Sequence, residues 1–231
     1  MKHLNKLFAG VLLLAGLATN AQDSTNPWAV SFGVNAVDTK VSASDPLKQQ
    51  FSEFFNVKDN WNIVPSVSYF SVSKYSGDGF TFGLTGSFNK ITRWVNKVPN
   101  TGNSFEVVNP GNLNYYAIDG TISYSFMNML KSKLIEPSAH IGGGYTFLGD
   151  ASAGTLNGGL GLTFWFAKNV GLSFSSTYKY SFDDTRVAKA DVPTHVFHQA
   201  GIKFKFGAKD TDNDGVIDKE DSCPTVAGLE A

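Results

Sequence analysis

Trp28, Val30, Phe32, Val34 and Ala36 are apolar, and the residues between them, Ala29, Ser31, Gly33 and Asn35, are small or polar. A two-residue period of this kind is the mark of a strand with two unlike faces. It recurs along the chain as far as residue 207. One face is rich in Phe, Tyr, Leu and Val, while the other carries Ser, Thr, Gly, Asn and a few charges. A soluble sheet would bury the apolar face. Repeated over many strands, the pattern instead predicts a barrel with hydrocarbon outside and a narrow polar interior.

Clear strands follow the same phase. Phe80, Phe82, Leu84 and Phe88 form one apolar stripe, and Tyr116, Ile118, Ile122, Tyr124 and Phe126 a second. Leu156, Leu160, Leu162, Phe164 and Phe166 form a third, and Val170, Leu172, Phe174, Tyr178 and Tyr180 a fourth. The last strand, Val196 to Phe206, sets Ala200, Ile202, Phe204 and Phe206 against Gly201, Lys203 and Lys205. Two weaker segments complete a count of eight. Ile63 to Tyr69 carries Pro65, which removes a ladder donor, and Ile135 to Phe147 carries Pro137 and Gly142-Gly143-Gly144. The expected fold is all-β: an eight-stranded antiparallel up-and-down transmembrane barrel.

Charge placement decides which face is which. The apolar phase of the clear strands has no Asp, Glu, Lys or Arg, and a charge there costs about 2–4 kcal/mol near the bilayer midplane. The other phase holds Asp119, Glu136, His140, Lys179, Lys203 and Lys205. A soluble ligand carrier would invert this arrangement. These six residues are the candidate interior constellation. Buried charges must pair, and Glu136 is the expected acceptor for Lys203 or Lys205. The bland reading is a polar core that plugs the lumen; the sharper one is a gate that passes small ions.

Domain organisation begins with Lys2, Lys6, an apolar run from Leu7 to Leu17 and Thr19-Asn20-Ala21. This reads as a signal peptide over 1–21, cleaved after Ala21, with the barrel over 22–207 and a linker over 208–231. The apolar run is shorter than the ~20 residues of a spanning helix, and no Cys follows the cleavage site to carry a lipid anchor. Connections run long, short, long, short (Asp38–Asn60, Ser73–Gly79, Lys90–Asn112, Asn128–Leu134), which suits outer loops alternating with periplasmic turns. In the first long loop, Asp45-Pro46 and then Leu47, Phe51, Phe54 and Phe55 predict a short helix.

Function classes narrow accordingly. A formal charge of -1 over 231 residues gives no reason to expect nucleic acid. No catalytic residues are assigned and no enzyme is expected. His195 and His198 fall near Ser175, Ser176 and Asp183, as a lipid-modifying barrel would need, but no spacing marks a nucleophile. An accessory subunit docking through loops or lipid face onto an envelope complex is a further alternative, as is a narrow pore.

The tail is sharper. Asp210, Asp212, Asp214, Asp218 and Asp221 occupy positions 1, 3, 5, 9 and 12 of a loop with Gly215 at position 6. The Val216 carbonyl stands at position 7, so alternate oxygens can wrap one Ca2+ ion. Asp221 replaces the usual Glu, which weakens bidentate closure. With Asp221-Ser222-Cys223-Pro224, the segment resembles the opening of a thrombospondin type 3 repeat. The barrel before it resembles the OmpA-like outer-membrane family. That resemblance implies outer-membrane lipid as surroundings, a periplasmic tail and a carboxyl-terminal domain that grips peptidoglycan. No such domain lies within the 231 residues, so the expectation is a truncated chain in which Cys223 has lost the partner that a following repeat would bring.

Overall fold

The computed structural model describes residues 22, 26–40, 54–97, 105–185 and 190–207, with isolated positions between 211 and 228. Its strands are β1 (Trp28–Asp38), β2 (Trp61–Ile63), β3 (Tyr69–Gly77), β4 (Phe80–Ile91), β5 (Trp94–Lys97), β6 (Phe105–Val108), β7 (Leu113–Ser125), β8 (Ile135–Leu148), β9 (Ala151–Ala167), β10 (Val170–Ser181) and β11 (His195–Phe206). A one-turn helix, α1 (Val57–Asn60), precedes β2.

Nine strands form one antiparallel sheet in the order β11-β10-β9-β8-β7-β4-β3-β1-β2, and eight of them close on themselves because β1 pairs back onto β11 from Trp28↔Phe206 to Asp38↔Val196. These eight are therefore a closed barrel without edges. β5 and β6 make a separate hairpin in the loop between β4 and β7. Among the described residues, no helix is long and apolar enough to cross a membrane.

The outward phase is as the alternation predicts. Leu84, Ile118, Ile141 and Leu160 are all about 60–70% exposed and make an aliphatic band. Exposed aromatic residues flank the band on both sides: Trp28, Phe80 and Phe206 at the end holding the short turns, and Phe88, Tyr116, Phe147 and Tyr180 at the loop end. Lys74 is the outward cation of β3. It stands at the turn end with its ammonium 5.2 Å from the Trp28 ring centroid, where a long side chain can reach water.

One strand differs from the sequence expectation. The second barrel strand is Tyr69–Gly77 and not Ile63–Tyr69, and the turn after it is Asp78-Gly79, both with positive φ. Asp-Gly is a strong signal for a two-residue hairpin turn; it was hidden by the polar run Ser71, Ser73, Ser76. The Ile63 segment belongs instead to β2, which pairs with Ala36–Asp38 at the upper end of β1, beyond the start of β3. The predicted loop helix over Leu47–Phe55 falls mostly outside the described residues; Phe54 and Phe55 lie in a turn just before α1.

Glycines set the narrow bore. On β8, Gly142 and Gly144 point inward, where a Cβ on Gly142 would strike the Gly120 carbonyl and one on Gly144 would strike the Asp119 carboxylate. Backbone and side chain fill the space that side chains at 142 and 144 would need.

Candidate functional site

The polar part of the interior is built in three layers. In the middle, Ser and Thr hydroxyls bond across strands: Thr85 to Ser71 at 2.9 Å, Thr163 to Ser173 at 3.1 Å and Ser175 to Gln199 at 3.0 Å. His140 Nε2 meets Thr177 Oγ1 at 2.8 Å. These short side chains leave a polar cavity of about 140 Å³ that also touches Asp119, Glu136, Lys179 and Lys203. Such a volume holds several waters.

Toward the loop end the cavity meets an ion pair. Lys179 Nζ lies 2.8 Å from an Asp119 oxygen, with side chains 1% and 8% exposed. Asn157 donates to Asp119 at 2.8 Å, Lys179 donates to Tyr115 Oη at 3.3 Å, and Tyr115 Oη meets His195 Nε2 at 3.0 Å. The chain Asn157–Asp119–Lys179–Tyr115–His195 therefore spans β9, β7, β10 and β11. A charge pair this dry survives because each member has a partner.

Toward the turn end the expected Glu136 site also includes an indole. The Glu136 carboxylate accepts the indole N–H of Trp165 at 2.7 Å. Lys203 and Lys205 place their ammonium groups over the Trp165 ring, 5.7 and 5.2 Å from its centroid. The indole, wholly buried, thus stands between carboxylate and cations, offering its polar edge to one and its π face to the others. Trp165 continues the inward phase of Asn157, Gly159, Gly161 and Thr163, and that phase was the signal available to find it.

Above the ion pair the lumen changes character. Val37, Ile91, Trp94, Leu148, Val192 and Phe197 pack with Tyr115 into an apolar cluster, each 2% exposed or less. This corrects the expectation of a polar interior throughout. Near the loop end the phases invert: Lys90, Asn114 and Ser152 face out and are exposed, while Ile91, Tyr115 and Ala153 face in and are buried. There the barrel is organised like a soluble one, with an apolar core closing its mouth.

A cluster of asparagines seals the side where β3 is short. Asn62 accepts from the backbone N–H of Thr92 and Arg93, both at 2.8 Å, and donates to the Arg93 carbonyl at 2.9 Å. Asn89 donates to Asn35 Oδ1 at 2.5 Å and to the Asn62 carbonyl at 2.9 Å. These amides satisfy backbone groups that a longer β3 would have paired. Single Asn residues in strand-like stretches gave no signal of this in the sequence.

The two histidines near the last loop part company. His195 points inward to Tyr115, whereas His198 points outward and meets Ser176 Oγ at 2.7 Å through Nδ1. Ser175 points inward to Gln199.

In the tail, Asp210, Asp214, Val216 and Asp221 lie outside the described residues. Asp218 accepts from Thr211 N and Oγ1, each at 2.7 Å. Among the described residues no cluster of three or more His, Cys, Asp or Glu is placed to hold a metal ion. The proposed leader over 1–21 is also outside them.

No family model and no curated protein matches the chain. Solved structures do. The outer membrane protein OprG of Pseudomonas aeruginosa is 12% identical, with 82% of this chain and 100% of that chain covered at a TM-score of 0.50. The amino-terminal β-barrel domain of Pseudomonas aeruginosa OprF is 12% identical over 79% and 98%, at a TM-score of 0.44. Neisserial surface protein A is 16% identical over 78% and 97%, at 0.45. At such identities the likeness to OprG shows the fold alone: the closed eight-stranded barrel found in that outer membrane protein.

Proposed function

We propose that the protein is a structural outer-membrane barrel whose lumen does not conduct. One observation carries this reading: an uncharged apolar belt surrounds a lumen that is blocked by the Lys179–Asp119 pair and, above it, by the Trp94 cluster. The belt fits a bilayer. From Phe80 to Phe88 it runs about 27 Å along β4, or about 21 Å along the axis at a tilt of about 40°, close to the about 25 Å apolar band of outer-membrane barrels. That OprG, which shares the fold, is an outer membrane protein supports the location.

Both barrel ends of the chain, Trp28 and Phe206, leave at the turn end. In this reading that end faces the periplasm, so the tail lies there. Ca2+ held by Asp210, Asp212, Asp214, Asp218, Asp221 and the Val216 carbonyl would stiffen the linker, and peptidoglycan contact would come through a domain beyond it. Catalysis has no part in this role.

A gated pore would require the ion pair to break and the apolar cluster to part together. Planar-bilayer recording discriminates the two. The structural reading predicts no conductance steps from the folded protein, and none from Glu136→Gln. Discrete ohmic steps would support the pore and refute the plug.

A further inference from the structure

On the outer wall of the barrel, β1, β11 and β10 carry small residues where their neighbours carry large ones. Ala36, Ala200 and Ser176 face outward beside Leu160 and Phe174, and the difference in size leaves a trough of about 770 Å³. This is within the range of small-molecule sites. Phe54, Phe55 and Trp61 roof its loop end.

His198 stands in the wall of that trough. Trp61 stacks on its ring at 4.1 Å between centroids, Phe54 packs edge-on at 4.9 Å, and the residue is only 6% exposed. Ser176 takes its Nδ1. Its Nε2 is buried without a hydrogen-bond partner. A buried polar atom without a partner is costly, and native proteins rarely leave one so. The Ser176–Nδ1 contact is compatible with either tautomer; in the one where Ser176 donates, Nε2 carries the ring proton and needs an acceptor.

We propose that the trough binds one ester-linked acyl chain of a lipid in the leaflet on the loop side, with His198 Nε2 donating to the ester carbonyl. This rests on the reading that the barrel sits in a bilayer. The occupant follows from position. The trough is continuous with the lipid-facing belt through Val34, Leu160 and Phe174, so hydrocarbon is what meets it. His198 lies three residues inside the start of β11, about 10 Å along the strand, at the level of the upper aromatic ring, where acyl chains give way to their ester groups. Trp61 and Phe54 close the site above that level and cover Nε2, so the carbonyl meets it where these two rings give way.

The test uses the full protein folded in detergent and offered equal amounts of ester-linked and ether-linked phosphatidylcholine of one chain length. Native mass spectrometry then reads the lipid retained. The ether lipid lacks only the carbonyl. The wild type is expected to favour the ester lipid about three- to tenfold, the worth of one hydrogen bond; equal retention overturns the proposal. His198→Phe keeps the ring and removes the donor, so its ratio is expected to fall to about one, and an unchanged ratio overturns the proposal. Ala200→Trp fills the trough and is expected to lose both lipids; undiminished retention overturns it as well. Heated and unheated samples run side by side on a gel keep the two readings apart. Identical migration refutes the membrane barrel itself and the proposal with it, whereas a normal shift with equal retention refutes the lipid site alone.

Discussion

Removing Lys179 is the sharpest perturbation of the lumen. Its ammonium is fully buried, 2.8 Å from Asp119, and the side chains are 1% and 8% exposed. Lys179→Met would leave the Asp119 carboxylate with Asn157 as its remaining side-chain hydrogen-bond donor. Breaking one side of a buried pair costs about 3–5 kcal/mol. The cavity beside Asp119 can admit water to the stranded carboxylate, so about 3 kcal/mol is expected. Asp119→Leu strands Lys179 in the same way and is expected to cost about as much. The double variant, Lys179→Met with Asp119→Leu, removes both charges and replaces them with apolar volume. If the two effects added, the loss would be about 6 kcal/mol; with the pair as its own principal compensation, about 1–2 kcal/mol is expected. Reversible urea unfolding in lipid vesicles, read by the gel shift of folded against unfolded protein, measures all four corners of the cycle. A double variant as unstable as the sum of the singles would refute the reasoning, because the two groups would then be acting independently.

Other substitutions probe the remaining layers. Trp94→Ala empties the centre of the mouth cluster and is expected to cost about 3–5 kcal/mol, seen as a lower temperature for the heat-induced gel shift. Gly144→Ala drives a Cβ onto Asp119 and to 2.8 Å from the Ile118 carbonyl, while Gly143→Ala meets its nearest neighbour, the Thr155 carbonyl, at 3.4 Å; the first is expected to impair folding yield into vesicles and the second to leave it nearly unchanged. Leu84→Lys, in the middle of the belt, is expected to destabilise by about 2–4 kcal/mol, and Ser76→Lys, at the turn-end rim, by no more than about 1 kcal/mol. Equal penalties in urea titrations would count against a bilayer around the belt.

The barrel itself was legible because period-two alternation and charge placement are local properties of each strand. Trp28 to Ala36 and Leu156 to Phe166 declare both their conformation and their outward face without reference to any neighbour. The second strand was not legible in the same way. Its outward residues are Phe70, Val72 and Lys74, a stripe interrupted by polar neighbours, and the Asp78-Gly79 turn was the better guide. Interior partnerships were harder still. Which carboxylate meets which lysine depends on register and stagger around the barrel, and these put Asp119 against Lys179 and gave Glu136 to Trp165. The apolar mouth is not legible because inward Val37, Ile91 and Phe197 look like phase errors until strand lengths show that the barrel extends past its belt. The sequence around His198 does not tell which way it points; its outward direction follows from pairing with Ala36 and Ser176.

The central claim is that the even-numbered residues of β9 from Leu156 to Phe166 face hydrocarbon while the odd-numbered ones between them face the lumen. Nitroxide labels on single cysteines, in a Cys223→Ser background and a lipid bilayer, read this directly through collision with oxygen and with a water-soluble relaxing agent. Labels at Leu160, Leu162 and Phe164 are predicted to be accessible to oxygen and shielded from the polar agent, and labels at Asn157 and Thr163 to be shielded from oxygen. Access to the polar agent at 160, 162 and 164 would contradict the membrane barrel.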